Sequence, residues 1–141
     1  MTDTDSRIEM FGKIPLFRSL DKEELVELAN SSKETNFSSG DSIVKDGDAA
    51  LGFYVVADGG ALVKRKGKTL AKLGRGGFFG EMALLDDQPR SADVVAAEPT
   101  KCLVLLRWNF WAIVSKNPKI AKALLQEMAR RLRATNEALT D

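Results

Sequence analysis

Gly76-Gly77-Phe78-Phe79-Gly80-Glu81-Met82-Ala83-Leu84-Leu85-Asp86-Asp87-Gln88-Pro89-Arg90-Ser91-Ala92-Asp93-Val94 is the stretch on which the fold turns. Glycines leave a strand here and enter a short apolar helical turn, Glu81 to Leu85. The first amides of such a turn have no partner within it and point outward, which makes an anion site. Gly80 lets a ligand come close to the backbone, while Phe79 and Leu84 anchor the turn to the body of the domain. Pro89-Arg90 then sets a guanidinium at the mouth of the next strand, and the planar fork of arginine suits a phosphate. Glu81 would repel that phosphate unless it serves another part of the ligand, and an ionised carboxylate is a strong acceptor for a sugar hydroxyl. The segment therefore supplies an acceptor for a ribose, a cation for a phosphate and backbone amides between them. That combination describes a nucleotide whose phosphate lies near its own ribose.

On both sides of this stretch the pattern is β. Lys33–Phe37, Ser42–Lys45, Phe53–Ala57, Ala61–Lys66, Thr69–Leu73, Ser91–Ala97 and Lys101–Leu106 have strand character, with glycine-rich turns between them. Short strands at near-regular spacing predict a closed or folded-over β body of about eight strands. Asp58-Gly59-Gly60 and Lys66-Gly67-Lys68 read as tight hairpin turns. The β region, about 33–107, is flanked by helical segments. The first covers about 5–32, with a cap at Asp5 or Ser6, an interruption at Pro15 and a capping box from Asp21 to Glu24. The last covers about 108–139, broken at Asn117-Pro118, where proline suits the first helical position. Ile120, Leu124, Met128, Leu132 and Leu139 form its apolar stripe. The fold class is thus α+β, a jelly-roll-like β-roll with helices at both ends, in a single domain over residues 1–141.

Composition removes several function classes. The 141 residues hold 44% apolar and 29% charged side chains with a net charge of +1, which suits one soluble globular domain and gives no nucleic-acid or membrane signal from charge. There is no histidine and one cysteine, Cys102, so the commonest general base and the usual zinc ligands are missing. No catalytic residue, metal or cofactor is expected. Cys102 lies in an apolar run and reads as core. No stretch approaches the ~20 apolar residues that span a bilayer, and the acidic, polar start is no signal peptide, so the expected compartment is the cytoplasm. Gly67-Lys68-Thr69 lacks the spacing and the strand-to-helix context of a phosphate-binding P-loop.

Phe79-Gly80-Glu81-Met82-Ala83-Leu84 followed by Pro89-Arg90-Ser91-Ala92 resembles the phosphate-binding cassette of the cyclic-nucleotide-binding domain family, with the cassette at 79–92. The order of helices, β-roll and helices matches that family along nearly the whole chain. The resemblance implies that Glu81 binds the ribose 2′-hydroxyl and Arg90 the cyclic phosphate. Phe79 opens the ligand-binding set, although its ring is read as core. Gly80, Met82 and Ala83 would give backbone contacts, Ser91 a hydroxyl near phosphate and base, and Val63 and Leu73 the walls of the base pocket. The family's lids come from the last helix, which makes Arg131 or Leu132 the lid residue. The bland reading of Arg130-Arg131-Arg133 is a solvated face that complements the helix C-terminal dipole. The implied function is a sensor for cyclic AMP, ahead of cyclic GMP, that moves its last helix and acts on an effector elsewhere, on another chain or in a missing domain. A degenerate member serving as a nucleotide-independent interaction module is the alternative.

Overall fold

The computed structural model describes residues 3–86 and 88–140; Asp87 of the cassette lies outside them. Helix α1 (Thr4–Gly12) begins two or three residues earlier than the sequence suggested. The cap is Asp3, whose carboxylate accepts from the Ser6 amide at 2.7 Å, and Asp5 sits inside the first turn. Met10 and Phe11 are its buried positions. Pro15 opens a single 3-10 turn, Pro15–Phe17, that buries Leu16 and Phe17. Helix α2 (Lys22–Asn30) has the expected capping box: the Glu24 amide donates to the Asp21 carboxylate at 2.9 Å, and the Asp21 amide to the Glu24 carboxylate at 3.0 Å.

The β body has eight strands: β1 (Lys33–Phe37), β2 (Ser42–Val44), β3 (Gly52–Asp58), β4 (Ala61–Arg65), β5 (Lys68–Leu73), β6 (Phe78–Phe79), β7 (Asp93–Ala96) and β8 (Thr100–Leu106). They form two antiparallel four-stranded sheets, ordered β1-β8-β3-β6 and β2-β7-β4-β5. The β-roll class expected from the sequence is the fold observed. Lys66-Gly67 is a true hairpin turn between paired β4 and β5, with both residues at positive φ, 52° and 80°, the geometry of a type I′ turn. Asp58-Gly59-Gly60 is not a hairpin. β3 and β4 lie in different sheets, and this turn carries the chain across from one to the other. Gly59 passes so close to Pro99 and Thr100 that a side chain there would overlap their backbone.

The central strands β8 and β3 of the β1-β8-β3-β6 sheet are covered on both faces, which is why Cys102–Leu106 of β8 reads as a continuous apolar run. Phe53, Val55, Leu103 and Leu105 face the helices, where they meet Phe11, Phe17 and Phe110 in one core cluster. Val56, Cys102 and Val104 face the second sheet, where they meet Ile43, Val44, Ala61, Val94 and Ala96. Cys102 is fully buried, and burial pushes its thiol up to about 11. The chain closes with α3 (Arg107–Lys116) and α4 (Pro118–Thr140), the latter starting at Pro118 as read. Ile120, Ala123 and Leu124 of α4 enter the helix-side core and Met128 packs against it. The stripe then leaves the protein, with Leu132 63% and Leu139 79% exposed. Because α4 runs to Thr140, Arg130, Arg131 and Arg133 sit in mid-helix rather than in the last turn. The dipole account of these arginines therefore fails, since that effect is confined to the terminal turn.

Candidate functional site

β6 delivers the site. Its pairing with β3 sets Phe79 opposite Tyr54, and the two rings stack with centroids 4.8 Å apart and planes 5° from parallel. Gly80 then turns left-handed at φ 81° and starts the 3-10 turn Glu81–Leu84. The Ala83 amide closes that turn on the Gly80 carbonyl at 3.0 Å. Leu84 is fully buried in the helix-side core, so the turn is pinned at one end.

The chain returns through Gln88-Pro89 to Arg90, whose backbone is clamped on both sides. Its amide donates to the Asp48 carbonyl at 2.8 Å, and its carbonyl accepts from the Gly47 amide at 2.8 Å. The guanidinium lies 5.7 Å from the centre of the Tyr54 ring and donates through Nη2 to the Gly52 carbonyl. Its Nε is buried with no hydrogen-bond partner. Among the described residues no acidic side chain pairs with Arg90. Burial holds the guanidinium below its ordinary value, opposed by the nearby Tyr54, and burial likewise raises the Tyr54 phenol. A guanidinium in this state gains from any anion that reaches it.

Between the cassette and the second sheet lies a cavity of about 340 Å³. Val63, Phe79, Gly80, Met82, Ala83, Arg90 and Ser91 all line it, so seven of the sequence-predicted residues are brought together. Val44, Ala50, Ala92 and Val94 complete its apolar wall. Its volume is at the small end of the range for small-molecule sites, and its chemistry, apolar walls with a few polar groups, is typical of them.

Residues 34–117 match the family described as the cyclic nucleotide-binding domain. The chain belongs to this family. The cyclic AMP receptor protein of Thermus thermophilus is 41% identical over 125 residues, which span 84% of this chain and 57% of that protein. A cAMP-dependent protein kinase regulatory subunit of Dictyostelium discoideum is 34% identical over 110 residues, 72% of this chain and 34% of that protein. The chain thus spans between about a third and somewhat over half of these curated relatives. The N-terminal domain of a transcriptional regulator from Streptomyces coelicolor superposes with a TM-score of 0.85 at 35% identity, covering 92% of this chain and 94% of that one. These relatives carry names of regulators and receptors.

Four expected positions of this cyclic nucleotide-binding domain stand outside the cavity wall. Leu73 is half-buried and packs against the core between the sheets. Leu132 points to solvent. Arg131 instead reaches the cassette from α4, its Nη2 3.3 Å from Glu81 Oε1 and its Nη1 3.5 Å from Met82 Sδ. Glu81 is turned toward Arg131, with Oε2 buried and without a partner. Ser91 is exposed, and its carbonyl accepts from Arg65 Nε at 2.9 Å.

Sequence reasoning missed Tyr54 and Glu127. Tyr54 had a readable sign, the one polar-tipped side chain inside the apolar run Phe53–Ala57. Glu127 stands four residues before Arg131, a visible helical ion-pair spacing, but nothing in that spacing announces that it is 3% exposed. Among the described residues there is no group of Cys, Asp and Glu side chains placed to hold a metal ion, and no helix is long and apolar enough to cross a membrane.

Proposed function

We propose that the 340 Å³ cavity is the seat of a cyclic mononucleotide, cyclic AMP ahead of cyclic GMP, and that α4 responds to its occupancy. The observation that carries this reading is a pair of unmet polar atoms within one cassette: Arg90 Nε, a buried donor, and Glu81 Oε2, a buried acceptor. An unpaired buried polar atom costs free energy. A cyclic phosphate would satisfy the donor and a ribose 2′-hydroxyl the acceptor. No single simple anion does both, because an anion suited to Arg90 would be repelled by Glu81. The amide of Ala83 is already engaged, so the turn would offer the phosphate its earlier amides, at Glu81 and Met82. Preference for cyclic AMP is supported by the two curated relatives, both named for it. Arg131 links the cassette to α4 and is our lid residue, ahead of the solvent-facing Leu132. No catalytic step is assigned to this site; its output is a change in α4 that an effector outside these residues reads.

Isothermal titration of the full chain with cyclic AMP and cyclic GMP tests the reading. Both should bind, cyclic AMP more tightly. Arg90→Ala should weaken binding more than tenfold, as expected when a desolvated charge loses its partner at ~2–5 kcal/mol. Binding of the variant within a factor of two of wild type would remove Arg90 from the phosphate role. Absence of binding by wild type would leave a nucleotide-independent interaction module, the reading in which Glu81 serves Arg131 alone.

A further inference from the structure

Outside the cavity wall, the most unusual side chain is Glu127. It is the one strongly buried carboxylate on α4 among the described residues, at 3% exposure, and arginines surround it. Oε1 is met by Arg130, and by Arg18 Nε at 3.8 Å. Oε2 accepts from Arg131 Nε at 3.1 Å. Arg131 then spends Nη2 on Glu81 Oε1 at 3.3 Å. Nε and Nη2 lie along one edge of a guanidinium, the edge that ordinarily grips a single carboxylate with two bonds. Here that edge is divided between a carboxylate in the helix and one in the cassette. Arg18 directly follows the Pro15–Phe17 turn, whose Leu16 and Phe17 are set in the core.

We propose that Glu127 is a positioning residue: it holds Arg131 where that arginine meets Glu81, and through Arg18 it ties this placement to the N-terminal helical segment. An arginine on an exposed stretch of helix samples many rotamers, and ordering it is unfavourable. The bond from Nε to a buried carboxylate restricts that freedom before Glu81 is engaged. A lysine in place of Arg131 would have one charged point and no edge to divide. A surface ion pair between Glu127 and Arg131 would contribute little, but Glu127 is not at the surface. A buried carboxylate must be paired, so its grip on the arginines is enforced by the core around it. The consequence for ligand binding rests on the reading of Glu81 as the ribose acceptor: with Oε1 fixed by Arg131, Oε2 is the oxygen left for the hydroxyl.

Thermal unfolding of the full chain without nucleotide tests the positioning itself. In a double-mutant cycle of Glu81→Gln and Arg131→Met, the effects on Tm should be non-additive by about 2 °C, as for a partly buried pair in one network. The same cycle built on Glu127→Gln should be additive. Should Glu127→Gln not fold, Glu127→Asp keeps the charge and withdraws the oxygens by one methylene, and its cycle should also be additive. Titration with cyclic AMP and 2′-deoxy cyclic AMP gives the second readout. Glu127→Gln should lower discrimination between them at least threefold, toward that of Glu81→Ala, with affinity for the 2′-deoxy ligand within twofold of wild type. A Glu81–Arg131 coupling that persists without Glu127, or discrimination unchanged in Glu127→Gln, overturns the proposal. If wild type binds neither nucleotide, the functional reading fails while the unfolding cycles still decide what Glu127 does.

Discussion

Gly80 occupies the tightest point of the site. Its φ of 81° is strained for a residue with a side chain, and a Cβ there would collide with the Arg90 guanidinium and lie 3.1 Å from the Gly52 carbonyl. Gly80→Ala should therefore fold less stably, by ~1–2 kcal/mol from the backbone alone, and should displace Arg90 from its seat. Urea unfolding would show the first effect, and titration should show at least a tenfold loss of cyclic AMP affinity. A variant that is destabilised yet binds as wild type would mean that the position of the Arg90 guanidinium beside Gly80 does not matter to the ligand. At this scale the sequence was informative about residue types and poor about direction. Glu81 and Arg90 are legible because two opposite charges flank an apolar turn opened by glycine. Where Glu81 points is not legible, because Arg131 is 50 residues away in the chain and its register is set by how α4 lies on the core. Glu127 was hidden for the same reason: an acid four residues before an arginine usually marks a solvated helix face, and only the way α4 lies on the rest of the fold buries this one.

Elements were easier to read than the connections between them. The seven runs of strand character became strands within a residue or two of their expected ends, since alternation and glycine punctuation are local properties. β6 escaped notice because two residues hold no period, and its existence depends on pairing with Tyr54 and Val55. The turn at Asp58-Gly59-Gly60 looked like a hairpin because turn chemistry is local too, whereas the sheet in which the next strand pairs is not. Helix α4 shows the same limit. Its stripe is regular from Ile120 to Leu139, but the core ends before the helix does. Leu124→Ala should thus cost ~2–5 kcal/mol, as for a buried leucine, and Leu132→Ala should change stability by less than ~0.5 kcal/mol. Denaturant midpoints of the two variants check this directly. A large loss from Leu132→Ala would show that the outer half of α4 is covered in solution.

Across the whole molecule, the cassette touches both cores. Leu84 belongs to the cluster shared with the helices, while Phe79 packs on the cluster between the sheets beside the cavity. A displacement of the 3-10 turn is therefore felt on the side where α3 and α4 pack, and Arg131 adds a polar tie from the turn to α4. Helix α4 is accordingly divided into two parts. From Pro118 to Met128 the core holds it; beyond Met128 it has little tertiary contact except through Arg131, and isolated helical turns are marginal in water. Ligand-responsive segments come from the less stable parts of a fold, and a ligand shifts a conformational equilibrium only by its differential affinity for the two states. Cyclic AMP should meet this condition by engaging Glu81, the carboxylate that Arg131 also grips, so that occupancy and the placement of α4 favour one another. Amide hydrogen exchange should then be slow over Ile120–Leu124 with or without nucleotide. Over residues 129–136 it should be fast in the unliganded protein and slow several-fold on adding cyclic AMP. In Arg131→Ala the slowing should vanish while binding persists at reduced affinity, and in Leu132→Ala it should be preserved. Full protection of residues 129–136 before nucleotide is added, unchanged afterwards, would make α4 a fixed wall of the domain and place the response in another element.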